Sequence, residues 1–269
     1  GGLAGDALTD ADYNVALGYA SLSADTLGNS STALGWGTLA NQNFTSATSS
    51  FNVAVGMQTG TAVTTGVQNT LIGALAGDAI TDADLNVAVG YQALTTNVLG
   101  SRSVALGSYA LATQNPASAV NMFNTAVGDE AGILVTTGIR NTLIGGLSGD
   151  AITTANFNTA VGYNSLGLTT TGTLNVAVGD NALTSNTTGA SNTAVGQNSL
   201  GANTTAANNT AVGHSSLSTN TTGASNVAVG QSALTANTTG GHGTAVGFQA
   251  LIANTTGAQN TSVGDRSSI

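Results

Sequence analysis

The sequence predicts an all-β fold, a parallel β-solenoid (β-roll) of about 16 rungs built on a 17-residue repeat. A five-residue word, Asn-Thr/Val-Ala-Val-Gly, recurs along the whole chain. Its last position, here called the ladder glycine, returns with a period of 17, except at two steps of 21. Such a fixed period is typical of solenoids, and no helical period of apolar residues competes with it. The ladder glycines are Gly1, Gly18, Gly35, Gly56, Gly73, Gly90, Gly107, Gly128, Gly145, Gly162, Gly179, Gly196, Gly213, Gly230, Gly247 and Gly264.

Each position of the repeat forms a column of equivalent residues. The residue directly before the ladder glycine is Val, Leu or Ile in all 15 complete copies. The residue three places before the glycine is Val or Thr in all of them. Because side chains alternate faces along a strand, these two columns share one face, and the intervening Ala and preceding Asn columns share the other. We expect the Val/Leu/Ile face to fill the core with the leucine that often follows the glycine by four residues. We expect the Ala column to face outward and the Asn column to stack into a hydrogen-bonded ladder.

The two halves of the chain differ in how the 17-residue repeats are grouped. Residues 1–161 carry a 72-residue super-repeat with two four-residue insertions, in the loops Asn41–Ser50 and Thr113–Met122. Residues 162–269 have nearly uniform 17-residue repeats and should continue the same solenoid. Insertions in a solenoid protrude on one face, so the two loops are good ligand candidates.

Composition excludes several function classes. Only 6% of residues are charged, lysine is absent, and the net charge is −9, so a basic nucleic-acid surface is excluded. With no cysteine, disulfides and zinc–thiolate sites are excluded as well. No apolar stretch is long enough to insert into a membrane, and we expect any anchor or cap domain to lie outside this segment.

Signals for catalysis are nearly absent. The chain has no Gly-x-Ser-x-Gly elbow, and His214 and His242 fall in different columns, so we expect no enzyme and no organic cofactor. The aspartates of two acidic loops could supply oxygen ligands to Ca²⁺, or could simply cap turns and add solubility. They are Asp6, Asp10, Asp12, Asp78, Asp82 and Asp84.

The column after the ladder glycine is variable and rich in aromatic residues. Such side chains could contact a glycan or a protein receptor, or could cover a neighbouring chain. The candidates are Tyr19, Trp36, Tyr91, Tyr163 and Phe248.

The repeated word resembles the Ser-Val-Ala-Ile-Gly-type repeats in the YadA-like heads of trimeric autotransporter adhesins. The 17-residue form with Asn-Thr-Thr-Gly (Asn186–Gly189, for example) is also similar to arrays in phage or bacterial tail-fibre proteins. The resemblance covers Gly1 to Gly264 and implies a left-handed roll, a homotrimer and an extracellular or virion-exposed attachment role. The period of 17 is longer than that of the adhesin heads.

These observations lead to an extracellular fibre or adhesin shaft that attaches a cell surface or a virion to a target. The sequence leaves open whether the particle is a bacterium or a phage. A further alternative is ice binding, because paired threonines such as Thr187-Thr188 recur in successive repeats.

Overall fold

In the computed structural model, which describes residues 1–267, each copy of the repeated word forms a three-residue β-strand. The residues divide into two compact units, Gly1–Ile139 and Arg140–Ile269. The strand pairs within each unit are parallel, and no helix occurs in the described residues. The predicted all-β class and the stacking of successive repeats as turns of a solenoid are therefore confirmed. The left-handed coiling of the roll, the trimer and the boundary at residues 161 and 162 stay predictions.

The first unit contains one ladder of three-residue strands and two short side ladders. The insertions supply one strand to each side ladder: β4 pairs with β2, and β10 pairs with β8. The remaining strands stack in the order β1-β3-β5-β6-β7-β9-β11. The bounds are β1 Val15–Leu17, β2 Gly28–Asn29, β3 Thr32–Leu34, β4 Thr48–Ser49, β5 Val53–Val55, β6 Thr70–Ile72, β7 Val87–Val89, β8 Gly100–Ser101, β9 Val104–Leu106, β10 Val120–Asn121 and β11 Thr125–Val127.

The second unit contains a single ladder in which each strand pairs with the next along the chain. The register places identical columns side by side, so that Ala194 pairs with Ala211 and Val195 with Val212. The bounds are β12 Thr142–Ile144, β13 Thr159–Val161, β14 Val176–Val178, β15 Thr193–Val195, β16 Thr210–Val212, β17 Val227–Val229, β18 Thr244–Val246 and β19 Thr261–Val263.

The predicted assignment of the two strand faces is wrong. The Ala column lies inside the coil: Ala194 and Ala211 have 0% exposure. The Val/Leu/Ile column lies outside, where Val212 is 36% exposed and Leu17 is 64% exposed. The physical reason is space, because one turn of so short a repeat is narrow and the leucine from its far side already fills the centre. A small side chain is what fits opposite that leucine.

The leucine that follows the ladder glycine by four residues is buried, as predicted. Leu183, Leu200 and Leu217 all have 0% exposure. Each adopts a positive φ, between 48° and 51°, and so lies in the left-handed region. That conformation turns the chain sharply enough to bring the leucine back against the strand.

The predicted asparagine ladder is confirmed. Asn209 is fully buried, and its Nδ2 donates to the carbonyl oxygen of Gly223 at 2.9 Å. Its Oδ1 accepts the backbone N–H of Asn226, one turn further along, at 2.9 Å. Asn192 accepts from the backbone N–H of Asn209 in the same way, at 3.0 Å. Each amide therefore satisfies buried backbone groups of the neighbouring turn, which would otherwise be costly.

A second buried asparagine ladder runs through the Asn-Thr-Thr-Gly turns. Asn203 Nδ2 donates to Asn186 Oδ1 at 2.9 Å, and Asn220 Nδ2 donates to Asn203 Oδ1 at 3.2 Å. Asn186 also closes its own turn by donating to the carbonyl of Gly189 at 3.0 Å. The Asn-Thr-Thr tripeptides are therefore turn elements whose amide is buried in the coil.

Candidate functional site

The five aromatic ligand candidates all lie on the surface, in the column just outside the strands. Their side chains are between 36% and 56% exposed. Tyr91 packs edge-on against Tyr109 of the next turn, with ring centroids 5.3 Å apart. Arg266 lies over the ring of Phe248 at 5.4 Å. The structure therefore leaves these rings accessible, as five separate positions along the column: Tyr19, Trp36, Tyr91, Tyr163 and Phe248.

One phenol of this surface has a shifted acidity. Desolvation by its surroundings raises the pKa of Tyr109, and the neighbouring Tyr91 and the carboxylates of Glu130 and Asp129 raise it further.

The second acidic loop holds its aspartates in separate hydrogen bonds. Asp78 Oδ1 accepts from the hydroxyl of Thr95 at 2.6 Å, on the following turn. Asp84 Oδ1 accepts from the backbone N–H of Val67 at 2.8 Å, on the preceding turn. Asp82 accepts from the hydroxyl of Thr65, also on the preceding turn. These contacts favour the turn-stabilising interpretation over the calcium interpretation.

The first acidic loop, with Asp6, Asp10 and Asp12, is exposed. Within residues 1–267, no group of three or more acidic or histidine side chains is arranged to hold a metal ion. His214 and His242 lie in different columns of the repeat. Calcium binding by Asp6, Asp10, Asp12, Asp78, Asp82 and Asp84 stays the alternative to turn capping.

We expect Ca²⁺ titrated into the protein to give no heat of binding, because Asp78 bonds to the following turn and Asp82 and Asp84 bond to the preceding one. Isothermal calorimetry of the parent protein and of the double variant Asp78→Asn, Asp82→Asn measures this. A saturable heat in the parent that disappears in the double variant would contradict the expectation and restore the calcium site.

The structure joins two features that the sequence presents separately. Asp82 and Asp84 of the second acidic loop and the inserted strand β10 line one recess of about 270 Å³. The other lining residues are Ser101, on β8, and Ala119, next to β10. Ser101 sits between loop and insertion because its hydroxyl accepts the backbone N–H of Asp84 at 2.9 Å, while β8 pairs with β10.

Arg102 is hydrogen-bonded to two of the residues that line the recess. Its backbone N–H donates to the carbonyl of Asp84 at 3.0 Å, and its Nε donates to Asn121 Oδ1 at 3.1 Å. The recess therefore combines two carboxylates, a hydroxyl and an amide with the small apolar side chains of Ala119 and Val120. The sequence contained one signal for this recess, because the acidic loops and the insertions both recur with the 72-residue spacing of the super-repeat.

The paired threonines do not form two equivalent exposed columns. The first hydroxyl of each pair donates to the next turn: Thr187 to the carbonyl of Thr204 at 3.0 Å, and Thr204 to that of Thr221 at 3.2 Å. The second threonine, such as Thr188, is exposed. The first threonine of each pair therefore stabilises the contact between successive turns, and only the second is exposed. This arrangement does not favour ice binding.

Comparison with known proteins adds no relative. No family model, no curated protein and no solved structure matches the chain. Among residues 1–267 there is also no helix with the length and apolar character needed to cross a bilayer.

Proposed function

We propose that this chain is a shaft segment of an extracellular fibre or adhesin, working by self-association and display and not by catalysis. The observation that carries the proposal is the apolar outer face of the strand ladders. In the second unit the column before the ladder glycine reaches the surface on every turn: Val161, Val178 and Val195 are half-buried, and Val212, Val229 and Val246 are 36–37% exposed.

This outer face has no charged residue in any strand from β12 to β19. Its two columns contain only Val, Ile and Thr, repeated at the strand spacing of roughly 4.8 Å. Monomeric proteins seldom expose a long contiguous apolar patch, since burying it is favourable. A face of this kind needs a partner that is also uncharged and that repeats at the same spacing.

A second copy of the same chain meets both requirements. Identical chains present the same columns at the same spacing, so a contact that is favourable on one turn recurs on every turn. We propose a homotrimer, the state that the adhesin resemblance implies, with this Val/Thr face at the interface. The extracellular location rests on the same resemblance.

Attachment is then a property of the surfaces left outside the interface. The exposed aromatic column, which runs through both units, and the two inserted loops of the first unit are the contacts proposed for a host-surface glycan or protein receptor. Bacterial surface adhesin and phage tail fibre share this architecture, and the particle that carries the shaft would determine which one it is.

Self-association through the Val/Thr face has a direct test. We expect Val212→Glu to weaken the trimer by at least about 100-fold in dissociation constant, because burying an unpaired carboxylate costs several kcal/mol. Its β circular dichroism should be unchanged, since the side chain points outward. Sedimentation equilibrium of parent and variant gives the masses.

The matched control is Thr222→Glu, which adds the same charge at an exposed turn position. This variant should sediment like the parent protein. A parent that is monomeric at micromolar concentration would overturn the proposal, and so would equal weakening by the two substitutions.

A further inference from the structure

We propose that the recess beside the second insertion binds an uncharged saccharide residue of a surface polymer. This inference names the ligand class for the attachment role and so rests on the proposed function. Its starting point is the convergence of three turns on one cavity: Asp82 and Asp84 from the first, Ser101 from the second, and Ala119, Val120 and Asn121 from the third.

The lining chemistry matches a polyol. Carboxylates accept hydrogen bonds from hydroxyls, and such charge-assisted bonds are stronger than neutral ones. Ser101 and Asn121 can each donate and accept, which suits the mixed character of sugar hydroxyls. Ala119 and Val120 offer a small apolar surface to the C–H face of a ring; Val120 is 40% exposed.

Size and charge narrow the class further. A volume of about 270 Å³ lies just below the roughly 300 Å³ at which pockets for drug-sized molecules begin, so the recess suits a group the size of one sugar ring. Asp82 and Asp84 repel sulfated, phosphorylated or carboxylated sugars. The Arg102 guanidinium, held by Asn121 at 3.1 Å, offsets part of that charge and disfavours a purely cationic ligand.

The same framework occurs a second time in the first unit, one super-repeat earlier. Asn29 Oδ1 accepts the backbone N–H of Asp12 at 2.6 Å, where Ser101 Oγ accepts that of Asp84. The backbone N–H of Ser30 donates to the carbonyl of Asp12 at 3.0 Å, as that of Arg102 does to Asp84. The inserted strand β4 pairs with β2 as β10 pairs with β8.

On this proposal, the duplicated framework supplies a second binding position for the same polymer. The two frameworks are four turns apart, a separation of roughly 19 Å at the strand spacing. A polymer of repeating sugars can occupy both at once, and the second contact then forms at high effective concentration. We therefore expect affinity for polysaccharides to exceed affinity for the corresponding monosaccharides.

The test uses the full chain and named probes. Immobilised amylose, mannan, galactan, xylan and laminarin are the neutral polymers, and biolayer interferometry gives the dissociation constants. We expect binding to at least one of them, unaffected by EDTA. Asp82→Asn with Asp84→Asn should weaken it roughly tenfold, the difference between charged and neutral acceptors. Asp10→Asn with Asp12→Asn should do the same, and the quadruple variant should lose about 100-fold or more.

Two further variants test whether a loss of binding comes from the recess itself, from the change in net charge or from unfolding. Ala119→Trp fills the cavity at an exposed position and leaves the charge unchanged, and it should weaken binding as much as the Asp82, Asp84 pair does. Asp180→Asn with Asp265→Asn removes two charges from the second unit, and it should bind like the parent. Circular dichroism confirms that each variant is folded.

Several results would overturn the inference: no binding to any of the five polymers, equal loss in the Asp180, Asp265 control, or binding that requires Ca²⁺. Binding of polylysine in preference to all neutral polymers would overturn it too, in favour of a basic peptide. Sedimentation in the same buffer measures the oligomeric state, so that the trimer proposal and the saccharide proposal are tested separately. A trimer that binds none of the polymers refutes the recess alone, whereas a monomer that binds them refutes the proposed assembly alone.

Discussion

Ala211→Glu is expected to unfold the coil around it, and Val212→Glu, one residue later, is expected to leave it folded. Ala211 has 0% exposure and Val212 is 36% exposed, because they lie on opposite faces of β16. A glutamate inside the coil has no cation to pair with and no space, and burying an unpaired ion costs several kcal/mol. The expected loss for Ala211→Glu is at least about 4 kcal/mol in the free energy of unfolding.

Urea denaturation followed by circular dichroism measures the difference between the two variants. Stability in a solenoid is approximately a sum of terms for each turn and its neighbours, so the damage should centre on the turns of β15 to β17. Hydrogen exchange would locate it there. Equal stability of Ala211→Glu and Val212→Glu would contradict the face assignment.

The alternation of side chains along the strands was predictable from the sequence, but the prediction of which face is inside is wrong. The period-two pattern places the Val and Ala columns on opposite faces of the strands. It does not say which of the two faces points into the coil. Hydrophobicity favours placing valine inside, and that argument fails here because the interior is limited by volume. A narrow coil that already contains a leucine from its far side has space only for alanine.

A compensating exchange in the sequence carries the missing information. At two turns the Ala column contains leucine, Leu71 and Leu143, and on those same turns the buried leucine after the ladder glycine is replaced by Gly77 and Gly149. A Cβ on Gly77 would lie 2.9 Å from Leu71 Cδ2, so the two positions share one volume. Residues that exchange volume in this way must be in contact inside the coil, which identifies the Ala column as interior.

The recess was missed for a different reason. Acidic loop and insertion belong to different repeats and are far apart in the chain, and they meet because a solenoid places residues two turns apart on one edge. Period alone gives the column of each residue. The four extra residues of an insertion have no equivalent position in the 17-residue repeat. Their location is therefore given only by the structure, in which β10 pairs with β8.

The ladder glycines should be the least replaceable positions of the repeat. Gly213 has φ of +128°, outside the range of 45–63° in which this chain holds its left-handed non-glycine residues. A Cβ at Gly213 would also lie 2.7 Å from the carbonyl carbon and oxygen of Gly230 on the next turn. Backbone strain and steric overlap each cost of order 1–3 kcal/mol, and both act at this position.

We therefore expect Gly213→Ala to lower the free energy of unfolding by roughly 3 kcal/mol, even though it adds a single methyl group. Backbone atoms form both contacts, so no side chain can rotate away to relieve them. His214→Ala is the matched control, since it truncates the exposed neighbouring side chain and should change stability by less than about 0.5 kcal/mol. Urea denaturation compares the two. A Gly213→Ala variant as stable as His214→Ala would show that adjacent turns can separate at the glycine column, and the close stacking of carbonyls would then not be what fixes glycine there.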